Sequence, residues 1–322
     1  MIKYGVITGS TGNIGDRYTP NGYKLSSSLE ERLEGFSKIE HLKCIEISQD
    51  ETKDLSAKEL KSLMKLYNLE ISAVGLDLTS EPFWKFGSIT SKEVNIRKKA
   101  ADKIKKTIDF SVELEVGMVN VWLGQDGFDY PFQVDYIDQW NFAVESIREC
   151  SDYNSNIKLA LEPKPREPRN RSYLDTTTTA LLLVRDIDRE NVGVTIDVGH
   201  VLQDGKNMAQ SIAYAHLQNK LFNLHINDNY STWDDDMIVG SVHTIEFIEL
   251  FYTLKKIGYS GYCSIDIFPF RENSIKATEE SVQYMRLFEH LVDVIGIDKL
   301  DDCLKSDDVT KSIKLIRESI FK

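Results

Sequence analysis

The chain has 322 residues, of which 41% are hydrophobic and 28% are charged, enough for one large core or two smaller ones. Its formal charge of −12 would repel a phosphate backbone and disfavours a nucleic-acid partner. We find no run of eighteen uncharged apolar residues, no basic and apolar leader, and no paired spacing among the four cysteines, which predicts a cytoplasmic protein with reduced thiols and no membrane partner.

Eight short apolar runs recur along the chain, each with the length and the β-branched residues of a buried parallel strand. Segments with helical periodicity separate nearly all of them, for example residues 56–67 and 245–257. This alternation predicts a parallel sheet, and eight repeats favour a closed (β/α)8 barrel, the TIM barrel, over an open doubly wound sheet. The predicted strands are residues 2–9, 43–48, 70–78, 119–124, 157–163, 192–199, 222–228 and 263–268.

Helical periodicity continues beyond the eighth strand. It covers residues 274–295 and then a charged, amphipathic tail at 298–322. We therefore predict one barrel domain over residues 1–296, followed by a helical extension over 297–322. This extension is expected to pack on the barrel or on a neighbouring subunit.

The fifth to eighth predicted strands all end in residue types that bind metals. In a barrel of this kind, functional groups lie at the carboxyl ends of the strands, which meet at one face. A charge inside an apolar run is costly unless a cation or a partner compensates it, so a divalent cation explains all four positions. A single such carboxylate would more simply be the cap of the next helix. The four residues are Glu162, Asp197, His225 and Asp266.

A second group of candidate ligands follows the sixth and seventh strands. His200 lies three residues after Asp197, so both side chains could reach neighbouring positions around a shared carboxylate. In an extended loop, Asp234 and Asp236 point to the same side and could chelate one ion. A solvated acidic turn explains these two aspartates equally well when they are taken alone, but their position soon after the seventh-strand histidine favours metal binding.

Four segments of the sequence resemble the xylose isomerase family. The most specific is residues 161–168, Leu-Glu-Pro-Lys-Pro-Arg-Glu-Pro, which is similar to the end of the fifth strand in that family. The others are Asp-Val-Gly-His at 197–200, the acidic triplet at 234–236, and residues 121–127, which resemble the strand-four segment whose tryptophan walls the sugar pocket.

The resemblance implies a divalent-metal-dependent aldose-ketose isomerase with two ions per chain. Oxygen-rich ligands with one imidazole per ion suit Mn2+, Mg2+ or Co2+. A histidine at 225 is similar to L-rhamnose isomerase rather than to xylose isomerase itself. The first ion would be bound by Glu162, Asp197, His225 and Asp266, and the second by Asp197, His200, Asp234 and Asp236. The resemblance also implies a homo-oligomer, either a dimer or a tetramer.

Three residues are predicted to carry the chemistry of a C1/C2 hydride or proton shift on a small sugar. Lys164 would donate to the carbonyl oxygen as negative charge develops there. Asp236, together with a metal-bound water, would handle the hydroxyl proton, and Asp266 is the third predicted catalytic residue. The simpler alternative for Lys164 is that it neutralises Glu162. Because no basic cluster or glycine-rich phosphate cradle follows strands seven and eight, we expect an unphosphorylated sugar as the partner.

Aromatic residues are predicted to enclose the sugar. The longest linker, residues 79–92, contains Phe83 and Trp84, which is much aromatic surface for a solvated loop, so it is predicted to be a lid. The resemblance places Trp122 in the wall of the pocket, although core packing would explain it as well. His243, in the loop after the seventh strand, is placed at the rim.

Other functions on a related barrel remain open. A keto-sugar 3-epimerase would need a single metal, and such enzymes usually have glutamate where this chain has Asp266. That function would leave four residues without a role: Lys164, His200, Asp234 and Asp236. An endonuclease IV-like repair enzyme would have more histidine ligands and would bind DNA despite the negative charge. A non-catalytic sugar-binding module would not need Lys164. Asp77 follows the third strand without the histidine that xylose isomerases use to open the sugar ring.

Overall fold

The computed structural model of the chain describes residues 2–320. Within them, eight parallel strands close a barrel in which each strand pairs with the next along the chain and the eighth pairs with the first, which confirms the predicted (β/α)8 fold. The strands are β1 (Lys3–Ile7), β2 (Leu42–Ser48), β3 (Glu70–Gly75), β4 (Met118–Trp122), β5 (Lys158–Glu162), β6 (Val192–Asp197), β7 (Leu221–Ile226) and β8 (Tyr262–Ile265).

Helices surround the barrel and begin where the sequence supplies caps. Before the second helix, for example, Ser56 accepts from the backbone N–H of Glu59, whose carboxylate accepts from Ser56 in return. The described α-helices are α1 (Leu29–Ser37), α2 (Ala57–Tyr67), α3 (Val94–Leu114), α4 (Tyr136–Tyr153), α5 (Thr177–Ile187), α6 (Val198–Gln203), α7 (Met208–Leu217), α8 (Thr244–Lys256), α9 (Ser274–Ile295), α10 (Ile297–Lys305) and α11 (Val309–Ile320).

The end of β6 differs from the prediction in a way that matters for the site. We expected a strand through residue 199, but β6 ends at Asp197 and α6 begins at the next residue. The Asp197 carboxylate accepts a hydrogen bond from the backbone N–H of His200, at 3.0 Å, and so caps the new helix. Because the chain turns at this point, the His200 side chain lies one helical turn from Asp197 instead of further along an extended strand.

The segment from 79 to 92 is anchored to the rest of the barrel, whereas the sequence predicts a lid there. Trp84 is 1% exposed and packs in the core. The buried carboxylate of Asp126 accepts hydrogen bonds from the backbone N–H and the hydroxyl of both Ser88 and Thr90. Four charge-assisted hydrogen bonds to this fully buried carboxylate hold the segment to the loop after β4.

The two last helices pack along the side of α9. Leu300 of α10 is buried, and Leu315 and Ile316 of α11 are partly buried against the core. The predicted boundary after residue 296 falls at Gly296, where a φ of 90° ends α9. Residues 1, 321 and 322, the outer ends of the two predicted segments, lie outside the described residues. Across residues 2–320, every helix is too short or too polar to cross a membrane.

Candidate metal centre

Four side chains from consecutive strands converge at the carboxyl end of the barrel. Glu162 and Asp197 are the last residues of β5 and β6, His225 lies next to the end of β7, and Asp266 directly follows β8. One ligand atom from each residue lies within 4.8 Å of the corresponding atoms of the other three. Parallel pairing brings them together, since it places all four strand ends at the same face.

His225 has its two ring nitrogens in different surroundings. Nδ1 lies 3.3 Å from a carboxylate oxygen of Glu162 and 3.9 Å from one of Asp266, so it faces the cluster. Nε2 lies 3.0 Å from Oε2 of Glu46, a buried residue of β2 that the sequence analysis did not select. The imidazole therefore lies in the barrel interior, with Glu162 and Asp266 on one side and Glu46 on the other.

His200 and Asp234 form the centre of a second group beside the first. Nδ1 of His200 lies 3.0 Å from the carbonyl oxygen of Pro163, which can only accept, so this nitrogen carries a proton. Nε2 lies 3.0 Å from Oδ2 of Asp234. Burial opposes the charged imidazole, but the carboxylates of Asp197 and Asp234 outweigh it and raise the pKa of His200 to about 9.

Lys164 lies on the other side of Asp234. Its ammonium group is 2.8 Å from Oδ2 of Asp234 and 3.0 Å from a carboxylate oxygen of Glu167, and it lies 5.3 Å from the centre of the Trp122 ring. Burial disfavours the charge, but Asp234 and Glu167 outweigh this effect and raise the pKa of Lys164. Lys164 is therefore a charged donor and cannot act as a base at neutral pH. Its observed partners are these two carboxylates, whereas the alternative prediction paired it with Glu162.

The loop after β7 brings Asp236 into the same site. Its φ of 47° lies in the left-handed region, and its carbonyl oxygen accepts a hydrogen bond from the backbone N–H of Phe268 at 2.9 Å, which ties the loop to the segment after β8. Burial raises the pKa of Asp236 well above its ordinary value, and the carboxylates of Asp234 and Asp266 add to this effect.

The donor set fits a divalent cation. Burial raises the pKa of Asp266 to about 7; the charges of Asp197 and Glu162 add to this effect, and His225 and His200 oppose it. Oδ1 of Asp234 is buried and makes no hydrogen bond to any residue in the described part of the chain. The carboxylates thus carry negative charge that the neighbouring cationic side chains do not fully compensate. Oxygen ligands with one or two imidazoles suit Mn2+, Mg2+ or Co2+.

Two asparagines hold the carboxylates in place, and the sequence analysis missed both. Nδ2 of Asn120 donates to Oε2 of Glu162 at 2.7 Å. Nδ2 of Asn227 donates to both oxygens of Asp197, at 3.1 and 3.2 Å. Asn120 is the one polar residue of β4, and Glu46 lies between two isoleucines in β2. This pattern would have been the signal, because a buried polar side chain needs a partner.

Because Gly199 has no side chain, the side chain of Asn227 can pack against it. A Cβ at position 199 would lie 1.8 Å from Oδ1 of Asn227, so a side chain there must displace the asparagine from Asp197. We expect Gly199→Ala to lower the free energy of unfolding by about 1–3 kcal/mol and to weaken metal binding. Urea denaturation and calorimetric titration with Mn2+ measure the two effects.

Gly117→Ala is the matched control, since among the described residues no atom lies within 4 Å of a Cβ built at position 117. We expect the control to change stability by less than about 0.5 kcal/mol. Equal stability and equal Mn2+ affinity in the two variants would contradict the role of Gly199.

Of the four predicted sugar-contacting residues, the structure brings only Trp122 next to the charged cluster, through Lys164. Trp84 is corrected to a core residue, because its 1% exposure leaves no surface for a ligand. Phe83 packs edge to face on Trp84 and lies under the ammonium group of Lys99 on α3, at 3.4 Å, on the outer side of the barrel. These contacts give Phe83 a structural partner in place of a sugar.

The placement of His243 also differs from the prediction. Its Nδ1 lies 2.7 Å from Oδ1 of the buried Asp228, and its Nε2 lies 3.3 Å from the hydroxyl of Ser231. Asp228 also accepts from the backbone N–H groups of Val242 and His243. His243 therefore closes the loop that carries Asp234, and both of its ring nitrogens are already engaged within that loop.

The chain is similar in sequence to a known family of TIM barrels. A family model described as xylose isomerase-like TIM barrel matches residues 34–288. The xylose isomerase of Thermus thermophilus is 28% identical over 215 residues, which are 65% of this chain and 56% of that protein. The chain thus spans little more than half the length of this curated relative.

Solved structures agree with this result over nearly the whole chain. A D-tagatose 3-epimerase-like protein is 26% identical with a TM-score of 0.68, and the match covers 90% of this chain and 100% of that one. D-psicose 3-epimerase from Clostridium cellulolyticum H10 is 17% identical with a TM-score of 0.70, covering 89% and 99%, a likeness that shows the fold alone. The family model and the closed barrel agree, and four candidate ligands lie at the strand ends: the chain belongs to the xylose isomerase-like TIM barrel family.

Proposed function

We propose that the chain is a divalent-metal-dependent sugar isomerase that interconverts an aldose and a ketose of a small, unphosphorylated monosaccharide. The observation that carries this proposal is the second group of polar residues, in which buried Asp234 lies between His200 and Lys164. A site with a single ion would leave these residues without a function. The similarity to the xylose isomerase of Thermus thermophilus supports the same reaction class.

The proposed ligands divide into two sets that share Asp197. When bound, the divalent ions would polarise the sugar carbonyl and stabilise negative charge on adjacent sugar oxygens. The first set is Glu162, Asp197, His225 and Asp266, and the second is Asp197, His200, Asp234 and Asp236.

Lys164 supplies a positive charge where the carbonyl oxygen of the open-chain sugar becomes negative. Asp234 and Glu167 hold its ammonium group from two sides, so little reorientation is needed when the substrate binds. The adjacent Trp122 ring covers one side of Lys164 and limits access of water.

Asp236 and Asp266 are the proposed proton carriers. For aldose to ketose, one hydrogen moves from C2 to C1, as hydride or proton, and the hydroxyl proton moves from O2 to O1, so no external oxidant is needed. Asp236 is placed to accept the hydroxyl proton, since its loop is tied to the segment after β8 by the hydrogen bond to Phe268. Asp266 borders the first ligand set and is 17% exposed, which leaves it accessible to a substrate.

A keto-sugar 3-epimerase is the second candidate. Two observations favour it: the solved D-tagatose 3-epimerase-like protein matches 90% of the chain, and the cluster on β5 to β8 is compact enough to bind one ion by itself. In that reaction Glu162 and Asp266 would exchange the proton at C3. Lys164 and Asp234 would then serve only to hold the loop.

Metal stoichiometry and product analysis distinguish the two candidates. We would titrate the metal-free protein with Mn2+, and incubate the loaded protein with a panel of aldoses and ketoses in D2O followed by NMR. The proposal predicts two ions per chain and label exchange between C1 and C2. One ion with inversion at C3 would favour the epimerase, and no turnover of any sugar by the loaded protein would contradict both.

Asp234→Asn provides an internal control for the stoichiometry. It alters the second ligand set but leaves Glu162, Asp197, His225 and Asp266 unchanged, so we expect binding to fall from two ions to one.

A further inference from the structure

Glu46 lies on the far side of the barrel from the strands that carry the ligands, and it contacts one of them. It belongs to β2, is 3% exposed, and its Oε2 lies 3.0 Å from Nε2 of His225 on β7. Nδ2 of Asn223 donates to the same oxygen at 3.1 Å. In the barrel, β1 and β8 separate β2 from β7, so this contact crosses the interior.

The contact decides which nitrogen of His225 can bind a metal. A carboxylate oxygen can only accept, so Nε2, at hydrogen-bond distance from Glu46, carries a proton. Nδ1 also faces carboxylates, Glu162 at 3.3 Å and Asp266 at 3.9 Å, but these are proposed ligands of the same ion, so Nδ1 would give up its proton when the ion binds and offer its lone pair. Without Glu46, both tautomers of a neutral imidazole would be available, and only one of them has its lone pair in the cluster.

The contact with Glu46 also makes His225 a stronger metal ligand. An imidazole that donates to a carboxylate through one nitrogen is a stronger donor through the other, and such partners typically contribute 10- to 100-fold to metal affinity. The effect is largest for ions that accept nitrogen readily, such as Mn2+ and Co2+, and smaller for Mg2+, which prefers oxygen. Burial of the pair strengthens the interaction further, because water does not screen it.

We propose that Glu46 is a positioning residue that selects Nδ1 of His225 as the ligand atom and biases the site towards Mn2+ or Co2+ over Mg2+. The inference rests on the metal site of the proposed function and is independent of which sugar is converted.

Glu46→Gln tests the inference, because glutamine keeps the shape and an accepting oxygen but removes the charge. We expect the Kd for Mn2+, measured by calorimetry on the full chain, to rise about 10- to 100-fold and the Kd for Mg2+ to rise less. In 15N-histidine NMR of the Mg2+-loaded wild type, the proton of His225 should be on Nε2.

Glu51→Gln is the matched control. Glu51 follows β2, has a largely buried carboxylate, and pairs with Arg32 and Thr8 without contacting a proposed ligand. We expect Glu51→Gln to alter the stability of the protein. The Kd values for Mn2+ and Mg2+ should be unchanged.

An unchanged Mn2+ Kd in Glu46→Gln, an equal loss for both ions, or a proton on Nδ1 in the loaded wild type would overturn the inference. A wild type that binds neither ion would overturn the metal basis of the proposed function as well. Because sugar turnover does not enter these measurements, a failed substrate assay would leave the inference standing.

Discussion

Replacing Lys164 with methionine should lower kcat by about 100- to 1,000-fold, while the protein still binds its metal ions. The ammonium group is the charged donor of the second residue group, and methionine fills similar volume without a charge or a donor. Asp234 and Glu167 lose their partner in the variant, but neither contact involves the cluster on β5 to β8. Steady-state kinetics and metal analysis of the same preparation measure both effects.

Lys158→Met is the control for this experiment. Lys158 begins the same strand that ends before Lys164, is exposed, and lies over the ring of Phe222 at 4.9 Å, far from the ligands. We expect its kcat to equal that of the wild type. Retained turnover in Lys164→Met would remove Lys164 from the mechanism.

Replacing Asp197 with asparagine should remove both bound ions and all turnover, because this carboxylate is shared by the two proposed ligand sets. Burial, with the charges of Asp234 and Glu162, raises the pKa of Asp197. An acid whose pKa is raised by folding costs stability at any pH at which it is ionised. Removing the charge should therefore leave the metal-free variant at least as stable as the metal-free wild type at neutral pH.

The two proteins should then differ in their response to metal. An ion at 100 times its Kd stabilises the wild type by about 2.7 kcal/mol, which raises Tm by roughly 4 °C for a chain of this length. Asp197→Asn should show no such shift in a thermal denaturation experiment with Mn2+. A full shift in the variant would show that Asp197 does not bind the ions, and a large loss of stability in EDTA would contradict the stability expected from its raised pKa.

The barrel could be predicted because its signal is local. Each strand is a short apolar run that is buried on both faces, and each helix has its own periodicity and caps, as α9 illustrates with the predicted bounds Ser274–Ile295. The detailed strand ends were less accurate. We predicted a strand that ends at residue 199, but the strand stops at Asp197 because the Asp197 side chain caps a helix. Such a cap competes with the strand for the backbone. Hydrophobic periodicity does not reveal it.

The four residues that end β5 to β8 were predictable for a related reason. Parallel neighbouring strands must place their carboxyl ends together, so the position of Glu162, Asp197, His225 and Asp266 in four successive runs implies that they converge. The residues that support them did not follow from any spacing. Asn120 and Asn227 are ordinary polar residues until the fold shows which carboxylate each one contacts.

The sequence by itself determined the alternating elements, the closed barrel and the face at which the ligands meet, because these depend on the order and polarity of neighbouring residues. Only the tertiary structure decided that Glu46 contacts His225 across the barrel, that Trp84 packs in the core, and that His243 closes its own loop. The physical reason is distance along the chain: 179 positions separate Glu46 from His225, and such a contact is set by barrel closure and side-chain packing, which leave no periodic pattern in the sequence.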